Sequence, residues 1–159
     1  MTEPRWLDAR ERDAWLALAA VNLLLPAALD AQLARDAQLT NFSYFVLAML
    51  SEAPNRTTTM SDLAARSNSS PSRLSHVVSK LDERGWVERR QSSEDKRVVH
   101  ASLTDLGWES LVAIAPGHVE SVRRFVFDAL DDDDVTHLAE IGTKILTVLD
   151  PDRTFGPKR

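Results

Sequence analysis

The chain has no cysteine among its 159 residues. That excludes disulfide bridges, thiolate metal sites and cysteine-based oxidation sensing, and it fits a reducing, cytoplasmic setting. Glycine is scarce, with five residues, and none falls in a phosphate loop or around a serine nucleophile elbow. Hydroxyl groups are plentiful but none has a base placed for it, so the sequence reads as that of a protein that is not an enzyme and carries no cofactor. The four histidines, His76, His100, His118 and His137, show no metal-ligand spacing. No long uninterrupted apolar run occurs either. The longest, Ala17 to Leu29, is broken by Asn22 and Pro26. It reads as too short for a bilayer, and no membrane association is expected. The opening MTEPRWLDARERD is charged from the start and does not read as a secretory signal.

Positive charge is in deficit overall, with a net charge of −5, but the deficit is uneven. Residues 66–100 carry eight Lys/Arg against five acids, whereas residues 1–65 sum to −3 and residues 101–159 to −5. A basic module between acidic flanks is how a phosphate-facing surface on an acidic protein looks. A chance imbalance of this size looks the same, so charge alone does not decide.

Periodicity predicts a mainly α protein with one small β-hairpin. Trp6 to Arg35 reads as a long helix, with Trp15, Leu18, Asn22, Leu25, Leu29 and Leu33 at steps of three and four and an expected kink at Pro26. Thr40 or Asn41 can cap a second helix, Phe42 to Glu52. Thr59 opens a third, with Asp62 completing a weak form of the capping box. After the turn Ser67-Asn68-Ser69, Ser70 caps a fourth helix with Pro71 at its first position, and Gly85 ends it. Trp86 to Arg90 and Val98 to Leu103 read as two strands around a polar tip. Thr104 caps a fifth helix, which Pro116-Gly117 should bend. Asp131 to Asp134 open a sixth, where four acids suit the helix dipole. The tail from Asp150 is expected to fray.

A helix pair followed by a basic hairpin suits double-stranded DNA, one helix entering the major groove while the hairpin tip reaches phosphates or the minor groove. The stripe Leu74, Val77, Val78 and Leu81 buries one side of the fourth helix and turns Ser72, Arg73, Ser75, His76, Ser79 and Lys80 outward. Arg73 and His76 can reach base edges. Ser70 and Ser72 lie where helix N–H groups and hydroxyls can hold phosphate, and Lys80 is assigned to the phosphate backbone. On the hairpin, Arg89 and Arg90 leave the strand in opposite directions. Arg97 near the tip suits the minor groove, with Asp95 able to orient it. A solvated helix face and an ordinary surface hairpin are the plain alternatives.

The ordered set Leu63-Ala64, Ser70-Pro71-Ser72-Arg73-Leu74-Ser75, Leu81-Asp82-Glu83-Arg84-Gly85-Trp86-Val87-Glu88-Arg89, Glu94-Asp95-Lys96-Arg97 and Leu103-Thr104-Asp105-Leu106-Gly107 resembles the MarR (multiple antibiotic resistance regulator) transcription factors. With the flanking helices, the resemblance covers nearly the whole chain. Trp86 stands where the family more usually has an aliphatic residue, which reads as a packing change. The resemblance implies a winged helix-turn-helix at residues 39–104, flanked by a helical dimerisation region at 1–38 and 105–150, with a tail at 151–159. It further implies a homodimer placing two reading helices on a pseudo-palindromic operator in double-stranded DNA. Ser70, Ser72, Arg73 and His76 would face the groove, Arg89 would touch phosphate and Arg97 would enter the minor groove.

It also implies a small aromatic or anionic effector held between the dimer helices and the reading lobe. The residues that could wall that cleft are Trp15, Asn22, Tyr44 and His118. Asn22 is polar within an apolar stripe and needs a partner in its own helix, a dimer mate or a ligand. The expected function is a DNA-binding repressor released by its effector. The alternatives are a constitutive DNA binder and a winged-helix interaction module that does not bind DNA.

Overall fold

The computed structural model describes residues 3–156. Its elements run α1 (Ala9–Ala37), α2 (Asn41–Ser51), β1 (Thr57–Thr59), α3 (Met60–Arg66), α4 (Pro71–Glu83), β2 (Val87–Gln91), β3 (Val99–Leu103), α5 (Asp105–Phe125) and α6 (Asp132–Leu149). The helix starts follow the capping chemistry of the sequence. Thr40, Thr59, Ser70, Thr104 and Asp131 each accept a hydrogen bond from the backbone N–H three residues on. Asp8 does the same for α1, with Glu11 closing a full capping box, so α1 begins at Ala9 rather than at Trp6. At α3 the Thr59 hydroxyl accepts from the Asp62 N–H, and the Asp62 carboxylate accepts from the Thr58 hydroxyl. Pro26 and Pro116 both lie inside continuous helices.

The sheet has the order β1-β3-β2, antiparallel throughout. β1 was not anticipated. Thr57, Thr58 and Thr59 pair with Ser102, Ala101 and His100, so this strand depends on partners far along the chain.

One apolar core joins the two ends of the molecule. Leu33 of α1, Leu47 and Leu50 of α2, Leu63 of α3, Leu74, Val78 and Leu81 of α4, Val87 and Leu103 of the sheet, and Leu111 of α5 all belong to it. Beyond it, apolar side chains stand in the open. Trp15, Leu23 and Leu24 of α1 are more than half exposed, and α6 has no buried residue although it carries Leu138, Ile141, Ile145 and Leu146.

Two expectations need correction. The apolar run of α1 continues through Asn22 and Pro26 into a helix of 29 residues, by length and composition long and apolar enough to cross a membrane. An apolar face awaiting a protein partner passes the same test. The tail does not fray up to Gly156: its turn is held by Asp150, and Gly156 itself is buried. Residues 157–159 of the expected tail lie outside the described residues.

The Leu-Thr-x-x-Gly segment has a steric reason. The Thr104 hydroxyl donates to the Gly85 carbonyl at 2.7 Å, and the Thr104 N–H donates to the Trp86 carbonyl at 3.0 Å. This pulls the first turn of α5 onto the joint between α4 and β2. A Cβ at position 107 would collide with the Trp86 carbonyl oxygen and the Leu103 side chain. Gly107→Ala should therefore destabilise the protein by about 2–3 kcal/mol, read as a fall in thermal midpoint. An unchanged midpoint would contradict this packing.

Candidate nucleic-acid interface

α4 owes its two faces to its sequence. Leu74, Val78 and Leu81 are buried against the core, while Ser70, Ser72, Arg73, Ser75, His76 and Lys80 are all exposed. Ser70 Oγ accepts from the Arg73 N–H at 3.3 Å and lies 3.2 Å from Ser72 Oγ. Two hydroxyls and the first N–H groups of α4 are thus gathered at the positive end of the helix, where an anion is favoured. The guanidinium of Arg73 lies over the Phe42 ring, 4.2 Å from its centroid. That contact restricts a long, exposed cationic side chain near the start of α4.

The hairpin of β2 and β3 packs beside α4. Arg89 Nε donates to Asp82 Oδ2 of α4 at 3.0 Å, tying the strand to the helix. Arg90 pairs instead with Glu88 on the same side of the strand, at 2.8 Å. The two arginines do diverge as alternation requires, and each meets a carboxylate. At the tip, Arg97 is 90% exposed and its guanidinium binds Asp95 through two bonds, Nε to Oδ1 at 3.1 Å and an Nη to Oδ2 at 3.0 Å, while its N–H also donates to Oδ1. The Asp95 carboxyl is held below the usual carboxylate range, first by the Arg97 side chain and then by its backbone N–H. Asp95 therefore fixes both the backbone and the head of Arg97. Two of the five guanidinium N–H groups are engaged in this way.

Sequence reasoning missed Arg84. It sits at the C-terminus of α4 and donates to the carbonyls of Ala37 at 3.1 Å and Gln38 at 2.9 Å, with its guanidinium over the Trp86 ring at 4.9 Å. The end of α1, where Gln38 takes a left-handed conformation, leaves those carbonyls without helical partners. Arg84 supplies them and so links α1 to α4. The stacking of Arg73 on Phe42 was likewise not anticipated, since it joins helices far apart in sequence.

The four proposed effector residues separate into two pairs. Tyr44 and His118 meet, with ring centroids 4.2 Å apart. Gln32 of α1 lies near this contact through Gly117, its Nε2 donating to Asp36. Among the described residues, His118 Nδ1 and Gln32 Oε1 are buried with no hydrogen-bond partner. Burial pushes the His118 imidazole below its usual pKa and the Tyr44 phenol above its own. Trp15 and Asn22 do not join this group. Trp15 is exposed, and the Asn22 side-chain amide donates to the Leu18 carbonyl of its own helix at 3.1 Å, which meets its need locally. Asn22 is ten residues from Gln32, about 15 Å along α1. An open cleft of about 550 Å³ lies beside Arg84 and Trp86, walled by Asp36, Ser110, Ala113 and Ile114, and none of the four predicted residues lines it.

The MarR family model matches residues 39–99, the segment containing α2 to the start of β3. Sco3205 of Streptomyces coelicolor, a MarR family transcriptional regulator solved in complex with DNA, is 42% identical, with a TM-score of 0.88 over 95% of this chain and 94% of its own. AbsC, a second such regulator from Streptomyces coelicolor, is 37% identical, with a TM-score of 0.84 over 92% of this chain and 98% of its own. The transcriptional repressor MprA of Escherichia coli is 30% identical over 107 residues, 67% of this chain and 60% of its own length. Alignment to such curated relatives thus spans about 60% of their length. The likeness to Sco3205 and AbsC covers more than nine-tenths of this chain and of each of theirs, the family model matches the segment that holds α4 and the hairpin tip, and on these grounds the chain belongs to the MarR family of transcriptional regulators.

Proposed function

We propose that the protein is a homodimeric, sequence-specific DNA-binding transcriptional regulator of the cytoplasm, a repressor released by a small aromatic or anionic effector. The observation that carries this reading is a pair of cationic probes on one lobe. Arg73 is steadied on Phe42 at an exposed helix face, and Arg97 is steadied by Asp95 at a hairpin tip. The solved relative Sco3205, in complex with DNA, supports it. In this reading residues 39–104 read the duplex, Arg73 and His76 reaching bases. Ser70, Ser72, Ser75, Lys80 and Arg89 would meet the backbone, and Arg97 the minor groove. Residues 1–38 and 105–150 form the dimer. The exposed apolar faces of α1, α5 and α6 are what a second copy would cover. Two-fold symmetry then sets half-sites about one helical turn, roughly 10 bp, apart on a pseudo-palindrome.

For the effector, the support is the contact of Tyr44 with His118 and the two buried polar atoms beside it. A ligand with a ring to stack and a group to hydrogen-bond would satisfy both. This cluster lies between α1, α2 and α5, where a shift would be felt by the lobe that carries α4.

Gel shifts against DNA flanking the coding region test the reading. Binding should be sequence-selective and weaken with salt. Arg73→Ala should cost on the order of 1–3 kcal/mol and relax preference at one base pair, while Lys80→Ala should weaken all sequences alike and lower the salt slope by about one. Arg97→Ala should weaken binding without a change of major-groove preference. A uniform loss for Arg73→Ala would remove it from base readout, and no selective shift at all would remove the function.

The His118 environment gives a stability test. Its folded pKa lies below the unfolded value of about 6.5, so the unfolded chain takes up the proton more readily. No cost arises above that pH, and stability is lost as pH falls from there toward the folded pKa. His118→Phe, which keeps a ring against Tyr44, should lose that part of the acid sensitivity in melting curves. Parallel curves for both proteins would contradict the assignment.

A further inference from the structure

The C-terminal segment returns to the lobe that carries α4. At Asp150 the chain leaves α6, and the Asp150 carboxylate accepts from the Thr154 N–H at 2.9 Å, the Thr154 hydroxyl at 2.7 Å and the Phe155 N–H at 2.9 Å. That turn lays Phe155 on Phe45 of α2, with ring centroids 5.4 Å apart and planes 18° from parallel. Gly156 then exchanges two bonds with the last residue of α3: its N–H donates to the Arg66 carbonyl at 3.0 Å, and Arg66 Nε donates to its carbonyl at 2.9 Å. Arg66 is only 4% exposed, so this side chain is fixed by the tail across 90 residues of sequence.

Between its two ends, α6 is bare. None of its residues is buried, and it packs substantially on no other helix or strand of the described chain. It spans about 27 Å at the usual helical rise. The chain thus leaves α6 into a tail fastened to α2 and α3, while Leu138, Ile141, Ile145 and Leu146 stand exposed along the helix with nothing in the described chain to cover them. The apolar surface of α1 and α5 that it leaves uncovered needs the same kind of occupant, a second copy of the chain.

We propose that residues 150–156 are a strap that fastens α6 to α2 and α3 around the helices of the partner copy, so that subunits exchange only when the strap opens. The proposal rests on the homodimer reading above. Asp150 holds the turn, Phe155 is the anchor and Arg66 the clasp.

The test mixes unlabelled and isotope-labelled full-length protein and follows mixed dimers by native mass spectrometry, with sedimentation velocity on each variant. Phe155→Ala and Asp150→Ala should exchange about tenfold faster than the parent, the scale expected for losing one aromatic contact or its support. Phe155→Tyr, which keeps the stack, should exchange at the parent rate. Dimers that exchange equally fast in the parent and either disrupting variant overturn the strap while leaving the dimer intact. A parent protein that sediments as a monomer overturns both readings.

Discussion

One continuous apolar core governs what the rest of the molecule can do. Leu33 at the end of α1, Leu74, Val78 and Leu81 on the inner side of α4, and Leu111 on α5 share it with α2 and the sheet. Close-packed protein interiors do not slide freely, so a displacement at one wall is passed to the others. α1 and α5, two of the helices proposed to join two copies, therefore do not meet α4 through a flexible linker; they are sides of the same packed body. Arg84 reinforces this by carrying hydrogen bonds from the end of α4 to the last carbonyls of α1. Spacing between two reading helices in a dimer then becomes a property of helix packing.

Three arginines of the proposed interface follow a second rule: each is held before any partner arrives. Phe42 holds Arg73, Asp82 holds Arg89, and Asp95 holds Arg97. Exposed pairs of this kind add little stability, commonly under about 1 kcal/mol. Their value lies in restricting long side chains, so that less freedom is lost on binding. The carboxylates also place negative charge near a surface proposed for phosphate. Asp82 and Asp95 thereby set where each guanidinium can and cannot go.

Much of this was legible in the chain because it is local. Helix starts are written in side chains that bond three residues on, and Thr40, Thr59, Ser70, Thr104 and Asp131 all did so. The Asp95–Arg97 contact spans two residues and could be anticipated; so could the outward face of α4. The misses are non-local. β1 exists only through pairing with β3, over 40 residues away, and three threonines in a row were its one signal. Arg84 and Arg66 look like ordinary surface arginines until the end of α1 and the tail are brought to them. For Asn22 the sequence left three partners open, its own helix, a dimer mate or a ligand, and the Leu18 carbonyl of its own helix is the one it meets. The membrane estimate for α1 erred by stopping at Asn22 and Pro26, which the helix accommodates.

In the proposed dimer, a rigid two-fold body presents two copies of α4 and two hairpin tips to one face of a duplex. Hydroxyl-radical footprinting on a selected operator tests it most directly. The account predicts two protected stretches with centres about one helical turn apart, flanked by minor-groove protection at the outer edges. A single protected stretch, or two with no helical phase between them, would contradict it.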